Sequence, residues 1–313
     1  LVLMAIVLIT GVTEAEGKLK IGISQIVEHP ALDASRDGFI DALADEGFIE
    51  GENTEFVKEN AQGDFATAQS IAQKFKNDNI DLVLAIATPC AQATANVIED
   101  TPILITAVTD PVSAGLVDSL ENPEGNITGT TDMNPVKKQF ELIKKFLPDV
   151  ETVGVLYNSG EVNSKVQVEI AREVAEEMGL ELKEGTATNT SEVQLAASSL
   201  VDKVDAFYIP TDNVIASAIP AVLKVTNEKK IPVFASESGM VKQGAVATKG
   251  IDYYKLGQKT GKMAAEVLNG KKASELPIVG SDDLDLVINK KACEKLGLDV
   301  PEELLNDAET VIE

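Results

Sequence analysis

The sequence predicts an α/β protein with two domains that face each other across a cleft. Strand-like and helix-like segments alternate along most of the 313 residues, which is typical of parallel sheets covered by crossover helices. In both halves the predicted strands end in clusters of small polar residues. Because ligands of open parallel sheets bind beyond the carboxyl ends of the strands, two such rims predict a ligand site between the domains.

The first half of the chain is predicted to form a βαβαβαβ series. Strands are expected at residues 20–24, 54–58, 82–87 and 103–108, and helices at residues 32–43, 65–75 and 91–98. The unbroken apolar run at residues 82–87 is typical of a strand buried on both faces of a parallel sheet. Pro89 follows this run, at a position where proline commonly begins a helix.

The second half repeats the alternation after a turn-rich boundary at residues 122–126. Strands are expected at residues 152–157, 181–185, 206–209, 232–235 and 245–248, and helices at residues 136–146, 165–178, 191–201 and 214–227. Pro220 lies inside the last of these helical patterns, where it removes a backbone hydrogen bond. We therefore expect a kink there, or a helix that begins near Pro220.

The last part of the chain is too small to form a third domain. A helix at residues 254–268, a strand at 284–288 and a short helix at 290–296 cannot build a core of their own, so they are expected to dock onto the two halves. The chain then crosses between domains more than once. The predicted division is residues 18–126 with 251–276 in lobe 1, and residues 127–250 with 277–313 in lobe 2.

The first 17 residues are predicted to be the remnant of an export signal. An apolar run at residues 1–12 is followed by an acidic, polar stretch, and the run is too short to span a bilayer. The alternative is an N-terminal strand or buried segment. Position 12 is Val12, so the sequence does not support a lipoprotein cysteine there. We expect an exported protein in the periplasm or at the cell surface.

The composition excludes several classes of function. A net charge of −24 opposes binding to nucleic acid or anionic membranes. Arg36 and Arg172 are the only arginines, so a guanidinium clamp for an anion is nearly unavailable. His29 is the only histidine, which argues against Ser-His-Asp catalysis and multi-histidine metal sites. The sequence thus predicts a protein that is not an enzyme and has no cofactor or metal.

Two predicted helix starts, at residues 88–91 and 159–164, offer backbone N–H groups and hydroxyls for a carboxylate. Four acidic residues at the strand ends, Asp110, Glu161, Asp212 and Asp252, suit an ammonium group. A zwitterion fits this combination better than a sugar or a phosphate does. The alternative interpretation is that these side chains cap helix N-termini, which is their commonest role.

The candidate ligand-binding residues share a position at the predicted strand ends or the helix starts that follow. They are Gln25, Glu28, Thr88, Cys90, Asp110, Asn158, Ser159, Glu161, Ser164, Asp212, Asn213, Ser236 and Asp252. Cys90 is expected to line the pocket, and a free thiol is expected at both Cys90 and Cys293. Four aromatic residues, of which one or two would reach ligand, are available as walls: Phe65, Tyr157, Tyr208 and Tyr253.

Four segments together resemble the ABC-transporter substrate-binding family associated with tryptophan and related aromatic amino acids. They are residues 25–33 (QIVEHPALD), 109–112 (TDPV), 157–164 (YNSGEVNS) and 210–213 (PTDN), and the likeness extends over residues 20–301. The resemblance implies a type I periplasmic-binding-protein fold, with two Rossmann-like lobes, doubly wound parallel sheets and three hinge crossovers. It also implies that nine candidates are shared with the family: Gln25, Thr88, Asp110, Asn158, Ser159, Glu161, Ser164, Asp212 and Asn213. Cys90 departs from the small residue expected at its position.

The resulting hypothesis is an extracytoplasmic solute-binding protein of an ABC importer that works as a monomer. It would capture a small L-amino acid, aromatic or hydrophobic, and deliver it to a membrane permease. Hinge motion is expected near residues 126–131, 249–252 and 271–277. One alternative is a cofactor-independent amino-acid racemase, which requires Cys90 and Cys293 to face each other across the cleft. The other is a sugar- or nucleoside-binding protein of the same fold.

Overall fold

The computed structural model describes residues 17–281 and 283–313, which form two sheets. The predicted export-signal remnant therefore lies outside the described residues, except for Gly17. The first sheet contains β1 (Leu19–Gln25), β2 (Thr54–Asn60), β3 (Leu82–Ile86), β4 (Ile103–Val108) and β5 (Ile127–Thr131). These five strands pair in parallel in the order β2-β1-β3-β4-β5. The helices between them are α1 (Pro30–Asp45), α2 (Phe65–Asn77) and α3 (Thr88–Ala95).

The second sheet has seven strands in the order β12-β11-β10-β9-β8-β6-β7. They are β6 (Thr152–Tyr157), β7 (Glu181–Thr186), β8 (Ala206–Ile209), β9 (Val233–Ala235), β10 (Ala247–Ile251), β11 (Leu284–Asn289) and β12 (Thr310–Ile312). The pair of β10 and β11 is antiparallel, whereas the other pairs are parallel. The predicted doubly wound α/β architecture is confirmed in both halves.

Nine helices accompany the second half of the described chain: α4 (Val136–Phe146), α5 (Val162–Glu177), α6 (Val193–Leu200), α7 (Asn213–Ser217), α8 (Ile219–Lys229), α9 (Ser238–Lys242), α10 (Tyr253–Leu268), α11 (Lys290–Leu296) and α12 (Glu302–Asp307). Pro220 lies in the first turn of α8, where the absence of its N–H costs nothing. The residues around Pro220 therefore form two helices, α7 and α8. This confirms the expectation that a helix begins near Pro220. Among the described residues, no helix is long and apolar enough to cross a membrane.

The last helices and strands dock onto both halves, as the small size of the tail requires. Helix α10 packs along α1 of the first lobe, while β11 and β12 extend the second sheet. Two glycines permit the close approach of α10 to α1. A Cβ atom on Gly257 would overlap the carbonyl group of Ser35, and one on Gly38 would overlap the carbonyl group of Tyr254.

The crossings between lobes differ in position from the predicted boundaries. Residues 127–131 were assigned to lobe 2, but they form β5 and pair with β4 of the first sheet. The turn at residues 122–126 therefore precedes one more strand of the same sheet. Val279, which was assigned to lobe 2, forms a β-bridge with Thr130 of β5 and so still belongs to the first lobe. The last crossing therefore lies between Val279 and the start of β11. The crossing after β10 falls at Asp252, close to the predicted boundary.

The glycine contacts between α1 and α10 give a stability prediction. Gly257→Ala should lower the free energy of unfolding by about 3 kcal/mol, since the new methyl group meets backbone that cannot rotate away. Gly280→Ala is the matched control, because its Cβ atom would lie 3.6 Å from the nearest atom, Cγ2 of Thr131. Urea unfolding measures both variants. Equal stability of Gly257→Ala and Gly280→Ala would contradict the packing described.

Candidate functional site

Two helices begin at the cleft without a side-chain cap. Neither α3 nor α5 has a side chain that accepts from its first N–H groups, which have no partner within the helix. The starts of α7 and α10, in contrast, are capped by Asp212 and Asp252. Asp212 and Asp252 therefore cap helices, whereas no side chain caps the starts of α3 and α5.

The backbone just before α3 is strained. Ala87 has φ 76° and ψ 153°, a region that residues other than glycine rarely adopt. Ala87 is buried and lies between β3 and α3, so its conformation fixes the direction of the first turn of α3. Strain of this kind costs about 1–3 kcal/mol and occurs mainly at functional sites.

Asp212 organises the strand ends of the second lobe. Its carboxylate is buried and accepts hydrogen bonds from the Asn158 N–H, the Ser164 hydroxyl at 2.6 Å and the Ile215 N–H at 2.8 Å. Asn158 follows β6, Ser164 lies in the first turn of α5 and Ile215 lies in α7. The Asp212 side chain therefore holds these three elements together. Burial raises the pKa of Asp212, although the hydrogen bonds act in the opposite direction.

Glu161 lies next to Asp212 at the start of α5. Its two carboxylate oxygens accept from the side-chain amides of Asn158 at 3.0 Å and Asn213 at 2.6 Å. Burial, together with the nearby charge of Asp212, raises the pKa of Glu161 to about 7. In the described part of the chain, no lysine or arginine forms an ion pair with either acid. The pair therefore lacks a compensating cation.

Glu161 lines two adjoining cavities that lie between the lobes. The smaller, of about 110 Å³, is lined from the first lobe by Ile26, Val27, Gln62 and Gly63, and from the second lobe by Glu161, Thr188, Asn189, Thr190, Asn213, Val214 and Ser217. The larger, of about 410 Å³, adds Phe65, Pro89, Gln92, Asn158 and Gly160. Both lobes thus contribute to one region around a carboxylate.

Thr88 and Cys90 lie in the first turn of α3, on the first-lobe side of this region. Both are buried, and the hydroxyl of Thr88 has no hydrogen-bond partner in the described residues. The Ser24 hydroxyl lies 3.3 Å from Sγ of Cys90, and burial raises the pKa of the thiol to about 12. Cys293, also a free thiol, is buried in the core of the second lobe. The two thiols therefore do not face each other as the racemase alternative requires.

Four other predicted residues are placed away from the two cavities. Gln25 is buried and donates to Asp33 at 2.9 Å, which ties β1 to α1. Asp110 caps its own turn through the Ser113 N–H at 3.0 Å. Glu28 and Ser159 are exposed at their loops and line neither cavity.

Ser236 and Asp252 lie near the hinge. Asp252 lines a separate pocket of about 230 Å³, together with Glu237, Lys242, Tyr253 and Asp285. The carbonyl group of Ser236 accepts from the Asn134 side chain at 2.6 Å, while its hydroxyl has no partner in the described residues. Of the predicted residues, Asn158, Glu161 and Asn213 line the two cavities, Ser164 and Asp212 are buried beside them, and Thr88 and Cys90 are buried next to Pro89.

Of the four aromatic residues predicted as walls, Phe65 lines the larger cavity. Tyr157 donates to Glu184, Tyr208 is fully buried in the second core, and Tyr253 donates to the buried Asp132 at the hinge. Phe65 is also 41% exposed, so its ring is accessible from the cleft.

Sequence reasoning missed two further cavity segments, residues 62–63 and 188–190. Gln62 and Gly63 follow β2, and Thr188, Asn189 and Thr190 follow β7. Both segments are polar strand ends of the same kind as the ones that were chosen. The position of each segment after a strand was the signal that could have identified it.

Comparison with known proteins matches the chain to related binding proteins. A family model described as ABC transporter substrate binding protein matches residues 20–312. A tyrosine-binding protein from Clostridioides difficile is 49% identical over 286 residues, which is 91% of this chain and 83% of that protein.

Solved structures support the same relationship. An ABC domain from Streptococcus pneumonia in complex with L-Trp is 39% identical, has a TM-score of 0.91 and covers 95% of this chain and 100% of that one. The ligand-free, open structure of a substrate-binding protein with adhesive properties from Clostridium difficile is 50% identical, with a TM-score of 0.71 and coverage of 94% and 99%.

The fold, the cleft between the lobes and the matched proteins all indicate the same family. Two parallel-dominated sheets are joined by segments that cross between lobes three times, as in type I periplasmic binding proteins. Members of the matched family bind a small molecule outside the cytoplasm for an ABC permease. The chain belongs to the ABC transporter substrate-binding protein family.

Proposed function

We propose that this protein captures an aromatic L-amino acid in the cleft between its lobes and delivers it to an ABC permease. In this proposal the protein is an exported monomer that carries out no catalysis. Lobe 1 comprises the first sheet with α1, α2, α3 and α10, and lobe 2 comprises the second sheet with its helices. The names of the relatives, a tyrosine-binding protein and an L-Trp complex, support the aromatic class.

The observation that carries the proposal is the pair of carboxylates formed by the half-buried Glu161 and the buried Asp212, with which no lysine or arginine of the described chain pairs. A buried charge without a partner is costly, and a bound ammonium group would compensate it. Asn158 and Asn213 hold Glu161 by both oxygens, so its position is set before a ligand arrives. Preorganisation of this kind lowers the entropic cost of binding.

The N-termini of α3 and α5 supply partial positive charge, which suits the carboxylate of an amino acid. The first N–H groups of α3 and α5 have no side-chain cap, and the positive end of a helix dipole favours a carboxylate. An ammonium group at Glu161 and a carboxylate at a helix start describe the two ends of an amino acid. A sugar carries neither an ammonium group nor a carboxylate and so matches neither charge, which is why the sugar-binding alternative is not favoured.

The apolar walls suit a large, flat side chain. Ile26, Phe65 and Pro89 line the larger cavity from the first lobe. Burial of an aromatic ring against such groups contributes favourable free energy of about 25 cal/mol for each Å² removed from water. The polar residues 188–190 lie at the second-lobe side of the smaller cavity.

The two lobes are closed on each other in this structure. A Cβ atom on Gly239 of α9, in the second lobe, would lie 3.0 Å from Cβ of Pro30 in α1. The TM-score is also higher to the L-Trp complex, 0.91, than to the open, ligand-free relative, 0.71, although the open relative has the higher identity. The arrangement is the one expected when a ligand fills the cleft.

The proposal predicts selective binding of aromatic amino acids. Calorimetric titration with the twenty amino acids and a panel of sugars should find tight binding of tyrosine, tryptophan or phenylalanine and no binding of sugars. Tight binding of a sugar without binding of any amino acid would overturn the proposal.

Glu161→Gln should weaken amino-acid binding about 10- to 100-fold, because hydrogen bonds to charged groups contribute about 1.5–3 kcal/mol. Glu184→Gln is the matched control, since Glu184 lies on β7 of the same lobe and pairs with Arg172 at 2.7 Å outside both cavities. Calorimetry measures the affinity of both variants. Equal affinities for Glu161→Gln and the wild type would show that this carboxylate does not bind the ammonium group.

Glu161→Gln should also stabilise the ligand-free protein at alkaline pH. The pKa of Glu161 rises from 4.5 to about 7 in the folded protein, so its ionisation opposes folding as the pH rises through this window. Thermal unfolding should place the variant about 1–3 kcal/mol above the wild type at pH 8, with the difference shrinking towards pH 4.5. A difference that does not depend on pH would contradict the raised pKa.

A further inference from the structure

The turn between β2 and α2 holds two consecutive residues in the left-handed backbone region at the edge of the cleft. Gln62 has φ 56° and Gly63 has φ 78°. The turn closes where the Asp64 N–H donates to the Ala61 carbonyl group at 3.0 Å. Turns that need positive φ at both central positions favour asparagine, aspartate and glycine. Gly63 meets this preference, whereas the glutamine at position 62 strains the backbone.

The surrounding structure fixes the backbone of Gln62. Its N–H donates to the Asn60 side chain at 2.8 Å, and the N–H of Gly63 donates to the Ile26 carbonyl group at 2.7 Å. Ile26 follows β1 and lines both cavities. The turn is thus attached directly to the wall of the cleft. Strained residues that their surroundings hold in place in this way occur mainly at functional sites.

Gln62 also lines the smaller cavity with hydrogen-bonding capacity that the protein does not use. Its side chain is exposed and forms no hydrogen bond to the described residues. Apart from Thr190, the other polar side chains of this cavity form hydrogen bonds within the protein: Glu161, Thr188, Asn189, Asn213 and Ser217. A glutamine amide can donate and accept, so Gln62 offers a ligand both kinds of hydrogen bond.

The two cavities indicate which part of an amino acid would reach Gln62. The larger cavity contains Pro89 at the start of α3 and Gly160 just before α5, the two helix starts proposed for the carboxylate. Glu161, the proposed partner of the ammonium group, lines both cavities. The apolar Ile26 also lines both. A ligand side chain that extends along Ile26, away from Pro89, therefore brings its far end into the smaller cavity beside Gln62.

The far end of the side chain distinguishes the three aromatic amino acids. Tyrosine carries a hydroxyl group there, whereas phenylalanine carries a C–H group. The indole N–H of tryptophan lies on the ring nearer to the α-carbon, so the far end of tryptophan is also apolar. A hydroxyl can donate and accept, as the amide of Gln62 can. An unused amide at this place in the cleft therefore matches tyrosine.

We propose that Gln62 determines specificity by hydrogen bonding to the phenol hydroxyl of a bound tyrosine. This inference rests on the proposed function and names the substrate of the same site. Thr190, which belongs to the second lobe, lines the same cavity, so the hydroxyl would lie between groups of both lobes. The backbone strain at Gln62 is then the cost of an amide at a position where glycine fits better.

The test compares the affinities for L-tyrosine and L-phenylalanine by calorimetric titration. One hydrogen bond should make the wild-type protein bind tyrosine about 3- to 10-fold more tightly than phenylalanine. Gln62→Gly should bind both with similar affinity, with little change in its affinity for phenylalanine. Gln62→Met, which keeps the length of the side chain but not its amide, should lose the preference as well. This second variant separates a lost hydrogen bond from lost packing.

Lys230→Gly is the matched control. Lys230 also has φ 56°, but it is exposed at the end of α8 and lines neither cavity. Because glycine adopts this φ without strain, neither glycine variant should melt at a lower temperature than the wild-type protein. Lys230→Gly should keep the wild-type preference for tyrosine.

Three results would overturn the role of Gln62 and leave the capture of aromatic amino acids standing. They are equal affinities of the wild-type protein for tyrosine and phenylalanine, binding of tryptophan without binding of tyrosine, and an unchanged preference in Gln62→Gly or Gln62→Met. Failure of every amino acid to bind overturns the proposed function itself.

Discussion

The arrangement of the cleft depends on two neighbouring carboxylates, the buried Asp212 and the half-buried Glu161, which pair with no cation in the described part of the chain. Asp212 accepts from the residues that follow β6 and begin α5 and α7, so the strand ends of the second lobe converge on its side chain. Glu161 is then placed beside it by two asparagine amides. Two acids held this closely carry an electrostatic cost that rigid hydrogen bonds alone do not remove. A bound ammonium group would remove it, which links the local structure to ligand capture.

The same cost links ligand binding to closure. Glu161 belongs to the second lobe, whereas Phe65, Pro89 and Ile26 belong to the first, and the cavities between them exist only when the lobes approach. A hydrogen bond joins two of the segments that cross between the lobes. The hydroxyl of Tyr253, which follows the second crossing, donates to the buried carboxylate of Asp132, which lies at the first crossing. Charged groups on one lobe and apolar walls on the other favour a ligand that offers both kinds of contact.

Much of the fold could be predicted from the sequence, but less of the site. The apolar run at residues 82–87 predicted β3, because a strand buried on both faces is apolar throughout. Pro220 predicted the start of α8, because a proline lacks the N–H that a helix interior needs. Strand β5 was missed because its threonines are buried by distant partners, as Thr130 is by Thr260 at 2.8 Å. Asp212 and Glu161 were proposed from their positions at strand ends, and Glu161 lines both cavities. Asp110 and Glu28 occupy similar positions in the sequence but turn away from the cavities, which depends on tertiary packing.

The proposed function requires the cleft to recognise an ammonium group through Glu161, beside the buried Asp212. It is tested most directly by comparing the amino acid that binds with its des-amino analogue, the same molecule with hydrogen in place of the ammonium group. The account predicts that the analogue binds at least about 100-fold more weakly, since it leaves both acids uncompensated. Equal affinity of the two molecules would contradict the account.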